Sequence, residues 1–252
     1  MWPYPRILAH RGGGTLAPEN TYAGLRRGME AGFRAIEFDV MLARDGVPVV
    51  MHDPVLGRTV KGSGQVSDYD ADELAAMDAG SWFAAAHRDE TVPLFVEFAG
   101  MCKAQGVWMN VEIKPAPGFE RATGATVART VAAMFAAELA GDLEARRRAP
   151  LLSSFSQEAL EAAMEAAPGV ARACLFERLA PDWERRACAV EAVAVHTSHR
   201  HLTLELARAV KAAGFGLFCY TVNDPARARE LLDWGVDAFC TDRIDLIGPD
   251  FR

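Results

Sequence analysis

The sequence predicts an α/β fold, a TIM (β/α)8 barrel with a hairpin arm after its second strand and a small insertion. Three observations lead there. Short apolar runs alternate with helical patterns, as they do when βα units build a parallel sheet. Eight such runs stand at residues 6–10, 35–41, 107–113, 150–155, 171–176, 192–196, 215–221 and 236–240, and eight is the number that closes such a barrel. The chain has 252 residues, 50% hydrophobic and 24% charged, a size at which α/β barrels remain undivided, so residues 1–252 are predicted to form one domain.

The elements follow in order. The first run, ILAH, leads into RGGGTLAPENT, whose glycines let a strand reverse tightly into a helix. ENTYAGLRRGMEAG begins at a polar cap and stops at Gly32. After the second run, AIEFDVMLA, comes only RDG before the apolar VPVVMHD. No helix fits between them, so this ninth run folds back as a hairpin arm. A turn centred on Asp45 and Gly46 returns His52 beside Glu37 and Asp39. Residues 53–93, rich in Gly, Asp and Ser and lacking barrel-strand character, are predicted to be an insertion over the C-terminal mouth. Alanine-rich stretches near 131–140 and 159–167 favour helix. TLELARAVKAAG runs from Thr203 to Gly214, and NDPARARELLDWG offers Asp224 as N-cap, Pro225 at the first helical position and Gly235 as stop.

Composition excludes several classes. The net charge of −7, the pI of about 5.4 and the absence of any basic run beyond Arg146 to Arg148 argue against nucleic acid. Five cysteines, odd in number and without C-x-x-C spacing, read as reduced core residues of a cytoplasmic protein. No leader pattern and no run of about 18 apolar residues is present, so secretion, membrane spanning and stable membrane association are not expected. The oligomeric state leaves no signature.

The second strand carries acids where a core is apolar. Alternate residues share a face, so Glu37 and Asp39 point one way while Ile36, Phe38, Val40 and Leu42 point the other, towards the helices. In WMNVEIK, Asn110, Glu112 and Lys114 likewise share a face. Clustered buried carboxylates repel one another and need a positive partner. Either salt bridges to Arg or Lys or a bound cation would serve, and an all-oxygen set suits Mg²⁺ or Ca²⁺, with Mn²⁺ admissible. His10 and Arg11 end the first strand, and all these residues point to the C-terminal mouth where barrel enzymes keep their chemistry. Three carboxylates, one divalent cation, Arg11 and Lys114 leave a formal charge of about +1, which a monoanionic phosphodiester neutralises. His10 and His52 add an acid and a base that titrate near neutrality.

Taken together, HRGGGTLAPENT, EFD, HD, EIKP, YTVN and CTDRID resemble, in this order and from end to end, the glycerophosphodiester phosphodiesterase family, and within it the cytosolic bacterial enzymes. The resemblance implies hydrolysis of small glycerophosphodiesters, such as glycerophosphocholine, glycerophosphoethanolamine or glycerophosphoglycerol, to sn-glycerol 3-phosphate and an alcohol. It also implies His10 and His52 as general acid and base, Arg11 and Lys114 as phosphate-binding residues, and Glu37, Asp39 and Glu112 as metal ligands. Glu19 and Asn20 suit loop fixing as well as substrate contact. Asn223 suits a tie between the last strand and the mouth, and Trp82 and Phe83 either line a glycerol pocket or simply pack. Two other readings stay open, a lysophospholipase D-like phosphodiesterase and a catalytically silent barrel that binds glycerol phosphates. Water attack and attack by the glycerol 2-hydroxyl are equally compatible with these residues.

Overall fold

The computed structural model describes residues 2–252. Nine strands form: β1 (Ile7–His10), β2 (Ala35–Leu42), β3 (Pro48–Val50), β4 (Trp108–Ile113), β5 (Leu151–Ser154), β6 (Arg172–Phe176), β7 (Ala194–Ser198), β8 (Gly216–Tyr220) and β9 (Ala238–Thr241). Eight are parallel and pair in sequence from β2 through β4 to β9, and β1 joins β9 to β2 to close a TIM barrel. Every predicted barrel strand is present, with bounds displaced by at most two residues. The remaining strand, β3, lies antiparallel on the end of β2, with Val50 opposite Val40 and Pro48 opposite Leu42.

Among the described residues ten α-helices flank the strands: α1 (Tyr22–Glu30), α2 (Ala71–Ala75), α3 (Phe95–Ala104), α4 (Glu120–Met134), α5 (Ala136–Ala140), α6 (Leu143–Arg146), α7 (Gln157–Ala166), α8 (Trp183–Ala189), α9 (Leu204–Ala212) and α10 (Pro225–Asp233). Caps are where the sequence places them. Thr21, Thr203 and Asp224 each accept a hydrogen bond from a backbone N–H of the following first turn, satisfying donors that have no partner within the helix. The alanine-rich stretch near 131–140 is broken at Phe135 into α4 and α5.

Side chains sort by strand periodicity. Ile36, Phe38 and Val40 pack outward beneath the helices, with the Phe38 ring 4.9 Å from that of Phe98. Inward, Leu8, Leu151, Ala194 and Phe218 fill the lower barrel, and Tyr4 stacked on Trp108 at 4.7 Å borders its N-terminal end. Residues 53–93 carry only short helical turns and isolated bridges, and Leu56, Val60, Val66 and Leu74 pack with Met41 and Met51 of the hairpin as a small core of their own. All five cysteines are unpaired, and four are buried. Cys188 corrects the expectation of a core residue, because it faces solvent on α8 next to the buried Ala187.

Helices α4 and α7 cross at Gly124, where an added Cβ would stand 2.0 Å from the Ala159 carbonyl oxygen. Gly124→Val is therefore expected to cost about 1–3 kcal/mol of overpacking. At 2–4 °C per kcal/mol for a chain of this class, the thermal midpoint falls by roughly 2–12 °C. A differential scan that shows no change would mean that the helices separate freely.

Candidate active site

The first strand ends at His10, and the chain then turns abruptly. Arg11 adopts φ +51° and Asn20 φ +57°, a left-handed conformation that costs non-glycine residues about 1–3 kcal/mol and concentrates at functional sites. The turn aims the Arg11 backbone N–H at Glu37 Oε2 (3.4 Å) and lets the Arg11 carbonyl accept from Asn20 N (3.0 Å). Gly14, at φ +54°, lies so close to β9 that a Cβ would stand 2.2 Å from the Asp242 carbonyl. Thr15 donates to that carbonyl from its backbone N–H (2.9 Å) and its hydroxyl (3.1 Å). The glycines thus press the loop against Asp242, and Asp242 Oδ1 meets His10 Nδ1 at 2.5 Å.

Glu37, Asp39 and Glu112 converge as the strand register requires, since Asp39 pairs with Glu112 across β2 and β4. Each offers a carboxylate oxygen within 4.8 Å of the other two. Asp39 alone is well compensated. Asn20 Nδ2 donates to it at 3.0 Å, and Arg11 Nε and Lys114 Nζ each lie 3.6 Å away. Burial alone would raise its pKa, yet Arg11, Lys114 and His52 outweigh that and hold it below the ordinary value. Glu37 has the His10 ring at 3.6 Å, and Glu112 has Lys114 at 3.8 Å. Burial, followed by repulsion from Asp39, pushes Glu37 up to about 7 and Glu112 up to about 8. Two carboxyls unable to ionise freely beside a third that does form an oxygen-rich cluster short of positive charge. That is the condition a hard divalent cation relieves, so the residues present fit the group.

The two histidines have opposite surroundings. For His10, burial disfavours the imidazolium, but the hydrogen bond to Asp242 and the charge of Glu37 prevail and raise its pKa. Asp242 is itself anchored by Asn223, whose Nδ2 donates to Oδ2 and whose Oδ1 accepts from the Asp242 backbone N–H, both at 2.8 Å. Asn223 thereby has the tying role open to it in the sequence. His52 leaves the hairpin ladder just after Met51 N donates to the Asp39 carbonyl. It comes beside Asp39 and Lys114 and shares a cavity with Glu37. Lys114 Nζ donates to His52 Nε2, and His52 Nδ1 meets Asp53 at 2.6 Å. Burial, with Arg11 and Lys114 close by, lowers the His52 pKa. Beyond it a charged chain runs from Asp53 through Arg58 and Glu19 to Arg11, with Arg58 to Glu19 at 2.7 and 2.8 Å and Glu19 to Arg11 at 2.7 Å.

All seven residues singled out from the sequence therefore lie at one rim. Asp242, Asp53 and Arg58 had no assigned role there, although Asp242 stands in CTDRID and Asp53 in HD. Two cavities meet at His10 and Arg11. An inner one of about 200 Å³ is lined also by Glu37, His52, Glu112 and Lys114, and an outer one of about 390 Å³ by Glu19, Trp82, Phe83 and Asp242. Trp82 and Phe83 thus border the outer cavity, their rings edge to face at 5.8 Å.

The sequence pattern of the glycerophosphoryl diester phosphodiesterase family matches residues 10–246 of this chain. The chain belongs to this family. Among its members, the glycerophosphodiester phosphodiesterase of Caldanaerobacter subterraneus subsp. tengcongensis is 31% identical over 241 residues, covering 94% of this chain and 93% of that one. The solved structure of a phosphodiesterase from Oleispira antarctica, in complex with the product sn-glycerol-3-phosphate, is 31% identical and superposes with a TM-score of 0.84 over 95% of this chain and 93% of its own. The glycerophosphodiester phosphodiesterase of Agrobacterium tumefaciens, at 26% identity, has a TM-score of 0.76 over 96% and 98% of the two chains. As a member of the glycerophosphoryl diester phosphodiesterase family, this chain is a phosphoric diester hydrolase. No helix among the described residues is long and apolar enough to cross a membrane.

Proposed function

We propose that this phosphodiesterase hydrolyses small glycerophosphodiesters, of the glycerophosphocholine, glycerophosphoethanolamine and glycerophosphoglycerol type, to sn-glycerol 3-phosphate and an alcohol. The observation that carries the reading is the pair of oppositely tuned histidines flanking an under-neutralised carboxylate cluster. Glu37, Asp39 and Glu112 hold one divalent cation, Mg²⁺ or Ca²⁺ with Mn²⁺ as a substitute, which supplies Lewis-acid polarisation of phosphoryl oxygen when bound. Arg11 and Lys114 take the remaining phosphoryl charge, as preorganised cations do in displacements at phosphorus. His52, whose pKa burial and then Arg11 and Lys114 lower, accepts the proton of the attacking oxygen. His10, whose pKa Asp242 and Glu37 raise against the effect of burial, delivers a proton to the leaving alcohol.

Residues 53–93, which bring Trp82 and Phe83 to the outer cavity, act as a cap on the mouth of a single domain. The unpaired cysteines support action in the cytoplasm on dissolved diesters. The test is release of sn-glycerol 3-phosphate from glycerophosphocholine. Release is expected to stop with chelator and to return with Mg²⁺ or Ca²⁺, and kcat/KM is expected to be bell-shaped in pH with its acidic limb below the ordinary histidine value of 6.5. Turnover indifferent to chelator, or a flat profile through neutrality, would overturn the scheme.

A further inference from the structure

The inner cavity has polar groups that the chemistry above leaves idle. His196, on β7, is fully buried, in register with Leu175 of β6 and Phe218 of β8. Its ring lies 4.4 Å from that of Phe218 and 6.4 Å from that of Trp2, on the side away from the mouth. Neither ring nitrogen has a hydrogen-bond partner, and Asn110 Oδ1, on β4, has none either. The other end of that amide is engaged, since Nδ2 donates to Ser153 Oγ at 3.2 Å. Buried polar atoms are almost always paired in folded proteins, because leaving them unpaired forfeits their hydration. Both residues line the cavity that His10, Arg11 and Lys114 line nearer the rim.

The chemistry of the missing partner follows from the groups themselves. Burial pushes the imidazole down to about 3, so it is neutral and offers one donor and one acceptor, beside an amide oxygen that only accepts. A hydroxyl, which both donates and accepts, uses both kinds of group, whereas a bare anion would use only the donor and a bare cation only the acceptors. The apolar walls from Leu175, Phe155 and Phe218 suit carbon between hydroxyls. The cavity of about 200 Å³ exceeds many times the roughly 10–15 Å³ in which one water fits, which leaves room for a three-carbon polyol.

We propose that His196 and Asn110 form a hydroxyl-recognition subsite that receives the polyol arm of the diester, an inference that rests on the phosphodiester reading above. The phosphoryl group then sits at Arg11 between the two cavities, and the outer one beside Trp82 is left to the departing alcohol. His196 is a specificity-determining residue that meets the substrate away from the bond that breaks.

Calorimetric titration of the metal-loaded protein with sn-glycerol 3-phosphate and with n-propyl phosphate, which lacks both hydroxyls, tests this without turnover. The intact protein is expected to favour glycerol 3-phosphate by at least about tenfold, the discrimination a site built for hydroxyls achieves. His196→Leu removes most of that preference and leaves n-propyl phosphate binding as before. Its thermal midpoint is expected to hold or rise, since two unpartnered atoms leave the interior. His196→Gln, which keeps a donor and an acceptor, retains the preference.

An equal preference in the intact protein and in His196→Leu, as when these atoms meet only water, overturns the proposal. So does a lowered thermal midpoint with both ligands weakened alike, which marks a packing role, or loss of the preference in His196→Gln. Failure of the intact protein to bind either phosphate counts instead against the phosphodiester reading.

Discussion

His10→Ala is expected to lower kcat on glycerophosphocholine by about 10²–10⁴-fold, the contribution of a positioned proton donor, with KM changed little. The reason lies in the partners of the ring. Nδ1 is held at 2.5 Å by Asp242, which Asn223 holds in turn, so the ring keeps one orientation, with Nε2 at 3.6 Å from Glu37. Alanine removes the proton donor but leaves Arg11, Lys114 and the carboxylates in place, so binding of the ground state survives. Asp242→Asn separates donation from charge. Burial then acts on His10 with less opposition, its pKa falls, and the basic limb of the kcat/KM profile moves to lower pH. Steady-state kinetics between pH 5 and 9 check both variants. Near-normal turnover in His10→Ala, or an unmoved basic limb in Asp242→Asn, would remove His10 from the role of acid.

The second large effect concerns stability. Glu37 and Glu112 titrate near 7 and near 8 in the folded protein against an ordinary 4.5. Their folded values are raised, so between about pH 4.5 and 8 the metal-free native state binds more protons than the unfolded chain. Stability therefore falls as pH rises through that window. A bound divalent cation favours the ionised carboxylates and cancels the penalty, so its stabilisation must grow with pH. The gap in thermal midpoint between metal-loaded and chelator-treated protein is expected to widen by more than about 5 °C from pH 5 to pH 8, at 2–4 °C per kcal/mol. Glu37→Gln with Glu112→Gln should flatten the metal-free pH dependence and erase the gap. A gap of the same size at both pH values would mean that the cation binds elsewhere.

The formal charge count made on the sequence included three carboxylates, one divalent cation, Arg11 and Lys114. In the folded protein the site also holds Asp53, Glu19, Asp242 and Arg58, and the two inner glutamates carry less than a full charge without a cation. Counted at full formal charge, these outer groups turn the +1 left for a phosphodiester monoanion into about −1. The need for a cation still rests on the cost of burying like charges together, as it does in the sequence.

Local periodicity by itself determined much of this protein. Alternation along AIEFDVMLA and WMNVEIK places Glu37, Asp39 and Glu112 on inward faces, because a strand repeats every two residues whatever it pairs with. The short RDG connection requires a hairpin arm, and the Asp224, Pro225 and Gly235 punctuation bounds a helix. Tertiary structure alone decided the rest. Asp242 reaches His10 across 232 positions of sequence only because β9 pairs with β1 when the barrel closes. The contact of Lys114 with His52, the Asn20 bond to Asp39 and the isolation of His196 likewise depend on which strand ends meet at one rim. A side chain's facing is a property of a few neighbouring residues, whereas its partner, its ionisation and its lack of a partner are set by residues that chain closure brings together.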